Sequence, residues 1–187
     1  MNGIDDLISD ATRRMDKSVE STQVEFNTVR TGRASAALLD RIAVDYYGQQ
    51  TPLKQLATIN VPEPRMLTVQ PFDPSSIKEI ERAIQESELG LTPSNDGKVI
   101  RLPIPQLTEE RRKGLVKVVR QIAEDGKVAI RNVRRDADKH LKELKTKGDV
   151  GEDDERRAEE RVQKLTDEHT SKIDDLLKRK ETEITEV

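Results

Sequence analysis

The chain has no cysteine, so neither a disulfide framework nor a thiolate metal site is open to it. Its two histidines, His140 and His169, lack companions at metal-ligand spacing, so no zinc centre is expected. The aromatics are only Phe26, Tyr46, Tyr47 and Phe72, too sparse for a protein that stacks on the bases of single strands. No apolar run is longer than Ala36 to Leu39, far short of a bilayer span, and the N-terminal stretch lacks the basic and apolar regions of a signal peptide. A soluble cytoplasmic protein, with no membrane contact, is expected. Also missing are a GxxxxGK[ST] loop, a GxGxxG fingerprint, an HExxH pair and a cysteine nucleophile. The chain therefore reads as a non-enzyme with no cofactor and no metal. Carboxylate pairs such as Glu159 and Glu160 are frequent, but on a chain that is 37% charged they read as solvated faces rather than acid–base dyads.

Proline is also unevenly placed, because all eight lie between Pro52 and Pro105. Nothing after Pro105 forces a helix to break. With 33% hydrophobic residues, such a chain is either disordered or built of long amphipathic helices, and sustained apolar periodicity selects helices. The net charge of −3 conceals a division. Residues 109–147 hold 13 Lys/Arg and 7 Asp/Glu, whereas residues 149–187 hold 8 and 14, giving one basic and one acidic element.

The basic element is the stretch from Leu107 to Lys147. Thr108 is a good N-cap, and Glu109 and Glu110 suit the positive end of a helix dipole. At ~1.5 Å per residue the stretch spans roughly 60 Å. On an ideal wheel Leu115, Val119, Ile122, Gly126, Ile130, Val133, Ala137 and Leu144 share a side that must be buried. Another side carries Lys113, Lys117, Arg120, Lys127, Arg131, Arg134, Lys142 and Lys145, interrupted by Glu124 and Asp138. Two more long helices are expected. One runs from Gly3 to about Arg30 with Ile4, Ile8, Ala11, Met15, Thr22, Phe26 and Val29 inward. The other runs from about Glu152 to Glu186 with Ala158, Val162, Leu165, Ile173, Leu176, Leu177 and Ile184 inward. The link from Gly148 to Gly151 is short enough to demand antiparallel packing.

Between the first two helices the texture changes. Ile42, Val44 and Tyr46 alternate with Ala43, Asp45 and Tyr47 as a strand ending at Gly48, and Leu67 with Val69 suggests another before Pro71. Asp73 before Pro74 caps a helix whose buried face is Ile77, Ile80 and Ile84 and which stops at Gly90. Asn95-Asp96-Gly97 is a turn signal, and Lys98 to Leu102 a last strand. The expected fold class is α+β. Residues 1–31 and 106–187 form a long antiparallel three-helix bundle, and residues 32–105 a small α+β domain inserted between the first and second long helices. The two links, Gly32, Arg33 and Ala34 going out and Pro103, Ile104 and Pro105 returning, sit where a hinge would sit.

A row of cations on a helix is ordinarily a solubilising face balanced by neighbouring acids. The density of Arg131-Asn132-Val133-Arg134-Arg135 argues for more, since the planar fork of arginine matches phosphate oxygens and a helix can lie along a nucleic-acid backbone. With no aromatic on this helix, folded RNA or DNA read by phosphate and shape is the mode that remains.

These residues closely resemble the bacterial ribosome recycling factor family. The resemblance rests on Arg30-Thr31-Gly32-Arg33-Ala34, Asp45-Tyr46-Tyr47-Gly48, Pro52-Leu53 with Gln55-Leu56-Ala57, Leu89-Gly90-Leu91, Leu107 to Lys113, and Val128 to Asp136, in family order over nearly the whole chain. A departure is Val29, where isoleucine is common. The resemblance implies an L-shaped monomer of transfer-RNA-like dimensions that enters the post-termination ribosome and splits it with elongation factor G, the GTP being hydrolysed by that partner. It implies contacts to large-subunit ribosomal RNA at Arg30, Arg111, Arg131, Asn132 and Arg134, with Arg134 foremost. It also brings the insert against elongation factor G, without saying through which residues. Two other readings remain at this stage, a helical adaptor whose basic stripe is incidental and a hydrolase using bundle carboxylates. Co-sedimentation with ribosomes that weakens as salt rises separates the first reading from the adaptor, and activity without ribosomes would mark the hydrolase.

Overall fold

The structure, a computed structural model, describes residues 3–185. In chain order the elements are α1 (Ile4–Asn27), β1 (Ala43–Tyr46), β2 (Gln49–Pro52), a one-turn α2 (Leu53–Leu56), β3 (Ala57–Glu63), β4 (Met66–Pro71), α3 (Ile77–Glu86), β5 (Ser94–Asn95), β6 (Ile100–Pro103), α4 (Glu109–Thr146) and α5 (Glu152–Thr185). The chain divides into two compact units after Arg30 and again after Glu109. One unit holds the three long helices, and the other holds the strands and short helices.

In the helical unit α4 buries Leu115, Val119, Ala123, Gly126, Ile130, Val133, Ala137 and Leu141, in steps of three and four. Two positions differ from the wheel. Ile122 and Leu144 are only half-buried: Ile122 lies on the flank toward α1, where it lines a groove, and Leu144 belongs to the last turn. Helix α1 buries Leu7, Ile8, Ala11, Met15, Thr22 and Phe26, while Ile4 and Val29 are half-buried. It stops at Asn27, short of Arg30, because the N–H and hydroxyl of Thr28 both donate to the Glu25 carbonyl, at 3.1 and 2.7 Å, and tighten the last turn.

Helix α5 departs further from its expected stripe. Leu165, Leu176 and Leu177 are half-buried, and the polar Thr166 and His169 take inner positions. Their polarity is met locally, since the Thr166 hydroxyl donates to the Val162 carbonyl at 2.8 Å and His169 Nδ1 donates to the Leu165 carbonyl at 2.7 Å. His169 Nε2 lies 2.7 Å from Asp16 Oδ1 on α1. Glu186, the expected end of this helix, falls outside the described residues. Between α4 and α5, Gly148 adopts φ 81°. The Gly148 N–H donates to the Lys145 carbonyl and the Asp149 N–H to the Leu144 carbonyl, both at 3.0 Å. This left-handed glycine termination turns the chain back within five residues.

In the second unit β1 and β2 form an antiparallel hairpin. Its two-residue turn, Tyr47 at φ 50° and Gly48 at φ 81°, has the left-handed geometry that matches strand twist. The remaining strands make an antiparallel sheet in the order β3-β4-β6-β5. Val44, Leu53, Leu67, Val69, Ile80, Ile84, Ile100 and Leu102 fill the core beneath α3. The sequence signals for β1, β4, α3 and β6 are all realised. Strands β2 and β3 had none: β2 is polar Gln49-Gln50-Thr51, and β3 contains Pro62, which an edge strand with a register shift between Asn60 and Glu63 tolerates. Helix α3 ends at Glu86, before Gly90, because the Ser87 hydroxyl and N–H both donate to the Ile84 carbonyl, at 2.6 and 3.2 Å. Strand β6 starts at Ile100 rather than Lys98, because the N–H groups of Lys98 and Val99 donate to Asp96 Oδ1, at 3.0 and 2.9 Å.

Of the link residues, Ala34 and Ile104 donate backbone N–H groups to Pro64 and Arg65, at 2.7 and 2.8 Å. Both are thereby fastened to the β3–β4 turn. Gly32, at φ 76°, packs against Leu107.

Candidate nucleic-acid interface

Helix α4 presents two flanks and an outer face, set by its burial pattern. The flank toward α5 is laced by ion pairs: Arg120 Nε to Glu181 Oε1 at 2.7 Å, Lys127 Nζ to Asp174 Oδ1 at 2.8 Å, and Lys145 Nζ to Glu155 Oε2 at 3.6 Å. The acidic element of the sequence thus neutralises part of the basic one. Arg120, Lys127 and Lys145 of the predicted stripe are therefore engaged with α5, and each would have to release a carboxylate to meet a phosphate. On the flank toward α1, Arg14 Nη2 lies 2.8 Å from Asp136 Oδ2.

The five candidate residues fall into two groups. Arg131, Asn132 and Arg134 lie within four residues of one another in α4, with buried Val133 between the last two. Arg131 is half-buried and its Nη1 pairs with Glu124 Oε1 at 3.1 Å, one turn-pair earlier on the same helix. Asn132 is exposed and accepts from Arg135 Nη1 at 3.4 Å. Arg134 is half-buried beside Asp138. Burial raises the Asp138 carboxyl above its ordinary range, against the opposing pull of Arg134 and Lys142.

Arg111, exposed in the first turn of α4, lies roughly 30 Å along the axis from Arg131 at 1.5 Å per residue. Helix α1 runs antiparallel to α4, with Arg14 at Asp136 and Glu25 beside Ile122. Exposed Arg30, which follows α1, is accordingly toward the Arg111 end. Sequence reading passed over Arg14 and Lys17, two of the cations of α1, which form no row of their own on that helix. It also left Arg135 out of the site, although it stands in the densest basic run.

Among the described residues no cluster of three or more His, Cys, Asp or Glu could hold a metal ion, and no helix is long and apolar enough to cross a membrane. The exposed and half-buried cations of α4 give this surface the charge to hold phosphates.

Comparison with known proteins bears on the chain as a whole. The family profile for ribosome recycling factor matches residues 22–185. A protein of Rubrobacter xylanophilus named ribosome-recycling factor is 54% identical over 187 residues, 100% of both chains. One of the same name from Synechocystis sp. is 60% identical over 173 residues, 92% of this chain and 95% of its own. A solution structure of the ribosome recycling factor is similar with a TM-score of 0.75 at 43% identity, over 100% of both chains. A second solved chain has a TM-score of 0.64 at 48% identity, over 97% of this chain and 98% of its own. It comes from models for the T. thermophilus ribosome recycling factor and the E. coli elongation factor G bound to the E. coli post-termination complex.

Proposed function

Because the chain belongs to the ribosome recycling factor family, we propose that it binds the post-termination ribosome in the cytoplasm and, together with elongation factor G, recycles it by splitting the subunits. The observation that carries this reading is similarity along the full length, at 54% identity, to a protein of that name. The relative bound with elongation factor G to a post-termination complex supplies the partner and the state of the ribosome. The chain is a non-catalytic translation factor. Work is drawn from GTP hydrolysed by elongation factor G.

In this reading the bundle expected from residues 1–31 and 106–187, whose described helical unit ends at Arg30 and resumes after Glu109, is the arm that holds large-subunit RNA. Arg131, Asn132 and Arg134 contact its backbone from α4, with Arg134 foremost, and Arg30 and Arg111 make a second group of contacts. The insert, residues 32–105, receives the push of elongation factor G, passed through the links at Gly32, Arg33, Ala34, Pro103, Ile104 and Pro105. The deciding experiment mixes the purified chain with post-termination ribosomes, elongation factor G and GTP, and follows subunit splitting by light scattering. Splitting that requires all three components is expected, and no splitting with active partners would refute the reading.

A further inference from the structure

A groove of about 560 Å³ runs along the bundle between α1 and α4, on the flank of α4 that the ion pairs with α5 leave alone. Its walls are low. Ser18 and Thr22 turn their hydroxyls back onto the carbonyls of Arg14 and Ser18, at 3.1 and 2.8 Å, and Ala129 and Gly126 face them from α4. Its charge is graded from end to end. Glu25 and Asp125 line one end; Arg14, Lys17 and Asn132 line the other, with Arg135 donating to Asn132.

Among the described residues neither Lys17 nor Arg135 is ion-paired, so both cations are available to an outside anion without displacing a carboxylate. That contrasts with Arg120, Lys127 and Lys145 across the helix. A ribose–phosphate strand is a linear row of anions, which such cations can neutralise. Asn132 lies at the shared edge of the groove and the outer face of α4, so a strand meeting one continues into the other.

We propose that the Lys17–Asn132 end of the α1–α4 groove is a second track for a backbone of large-subunit RNA, gripped by Lys17 and Arg135, so that α1 binds RNA together with α4. This rests on the reading of α4 as an RNA-binding helix. The acidic end at Glu25 and Asp125 limits the track and repels a strand that overruns it.

The test uses the full chain carrying Lys17→Ala, Ser21→Glu or Ser21→Lys, with Arg131→Ala alongside, titrated against purified bacterial large ribosomal subunits over a series of KCl concentrations. Lys17 and Ser21 are exposed, and circular dichroism melts verify that each variant folds. Lys17→Ala is expected to weaken binding roughly three- to tenfold and to flatten the log–log salt slope by about one, the signature of one lost phosphate contact. Ser21→Glu should also weaken binding, and Ser21→Lys should tighten it and steepen the slope. If the Lys17 and Ser21 variants all bind like the parent while Arg131→Ala is weakened, the groove is not a track and the α4 reading stands. If Arg131→Ala is unaffected as well, both fall. Altered affinity with an unaltered salt slope would place a ribosomal protein in the groove instead of RNA and overturn the proposal. Effects at Lys17 and Ser21 without one at Arg131 would uphold the groove and move the site off the outer face.

Discussion

Gly126 of α4 faces side chains of both α1 and α5. A Cβ built there clashes with Thr22 Oγ1 from α1 and lies 2.9 Å from Ile173 Cδ1 of α5. Thr22 is β-branched and its hydroxyl is committed to the Ser18 carbonyl, so it cannot swing aside freely. Gly126→Ala is expected to lower stability by about 1–2 kcal/mol, because overpacking outweighs the ~1 kcal/mol that alanine adds to a helix interior. Thr22→Ala in the same chain should recover much of the loss, and a double-mutant cycle of melts measures the coupling. Val133, 5% exposed on the same face, makes a harsher probe. Val133→Asp should abolish the folded state, since burying an unpaired carboxylate costs several kcal/mol, on the order of the total stability. A parental melt would show that the inner face of α4 has been misassigned. By contrast, Arg131→Ala and Arg134→Ala should leave the melt nearly unchanged, because a half-exposed pair such as Arg131–Glu124 contributes only about 0–1 kcal/mol. Each should weaken binding to large subunits and flatten the salt slope by about one. Affinity equal to the parent at low salt would return these arginines to a solvated face.

At the level of elements, the turn before β6 ties the second unit to pH. Asp96 accepts N–H groups from Val99 and Lys98 and is paired with Arg101, which together lower its carboxyl from 3.8 to about 2. A carboxyl held down in the folded state adds stability that is complete above its unfolded value and is lost as pH falls through the folded one. Acid unfolding of this unit should therefore have a component between about pH 4 and pH 2 that Asp96→Asn removes. With no tryptophan in the chain and both tyrosines in this unit, tyrosine emission follows it selectively. An unchanged acid midpoint in Asp96→Asn would count against the turn as its source.

The same elements show why some structure is legible in sequence and some is not. Helices α1, α4 and α5 announce themselves through apolar steps of three and four, and α3 through Asp73-Pro74 ahead of three isoleucines. Strand β2 does not, because Gln49, Gln50 and Thr51 are held by backbone pairing with β1 and bury little. Thr166 and His169 look like surface residues until their local carbonyl partners are known. In the candidate site, the basic character of α4 is plain from its arginines and lysines. Which of them are engaged is hidden, because Lys127–Asp174 and Arg120–Glu181 join residues far apart in the chain, and the pairing depends on how α5 is rotated about its axis.

For the molecule as a whole, the proposed function makes the links the place where a push on the insert becomes work on the bundle. Ala34 and Ile104 are hydrogen-bonded to the β3–β4 turn, so added freedom must be placed on the bundle side of them. Two glycines inserted after Arg33 and two after Gln106 lengthen surface connections at little cost, since doubling a loop costs only ~0.6 kcal/mol. Such a variant should bind ribosomes about as tightly as the parent and split them more slowly with elongation factor G present. Splitting at the parental rate would mean that the links merely tether the insert.

The lacing of α4 to α5 has a bearing on how long the protein stays where it binds. Cations that already hold internal carboxylates have fewer bound ions to shed when a polyanion arrives, so they add little to the entropy that drives capture. Helix α5 acts as a resident competitor, present at an effective concentration that no free RNA matches. On the proposed reading of α4 as an RNA-binding helix, stray nucleic acid, which offers only charge, is held weakly, while a surface of matching shape still engages the uncommitted cations. A factor that must leave each ribosome before serving the next is therefore kept from sticking by acids in its own chain.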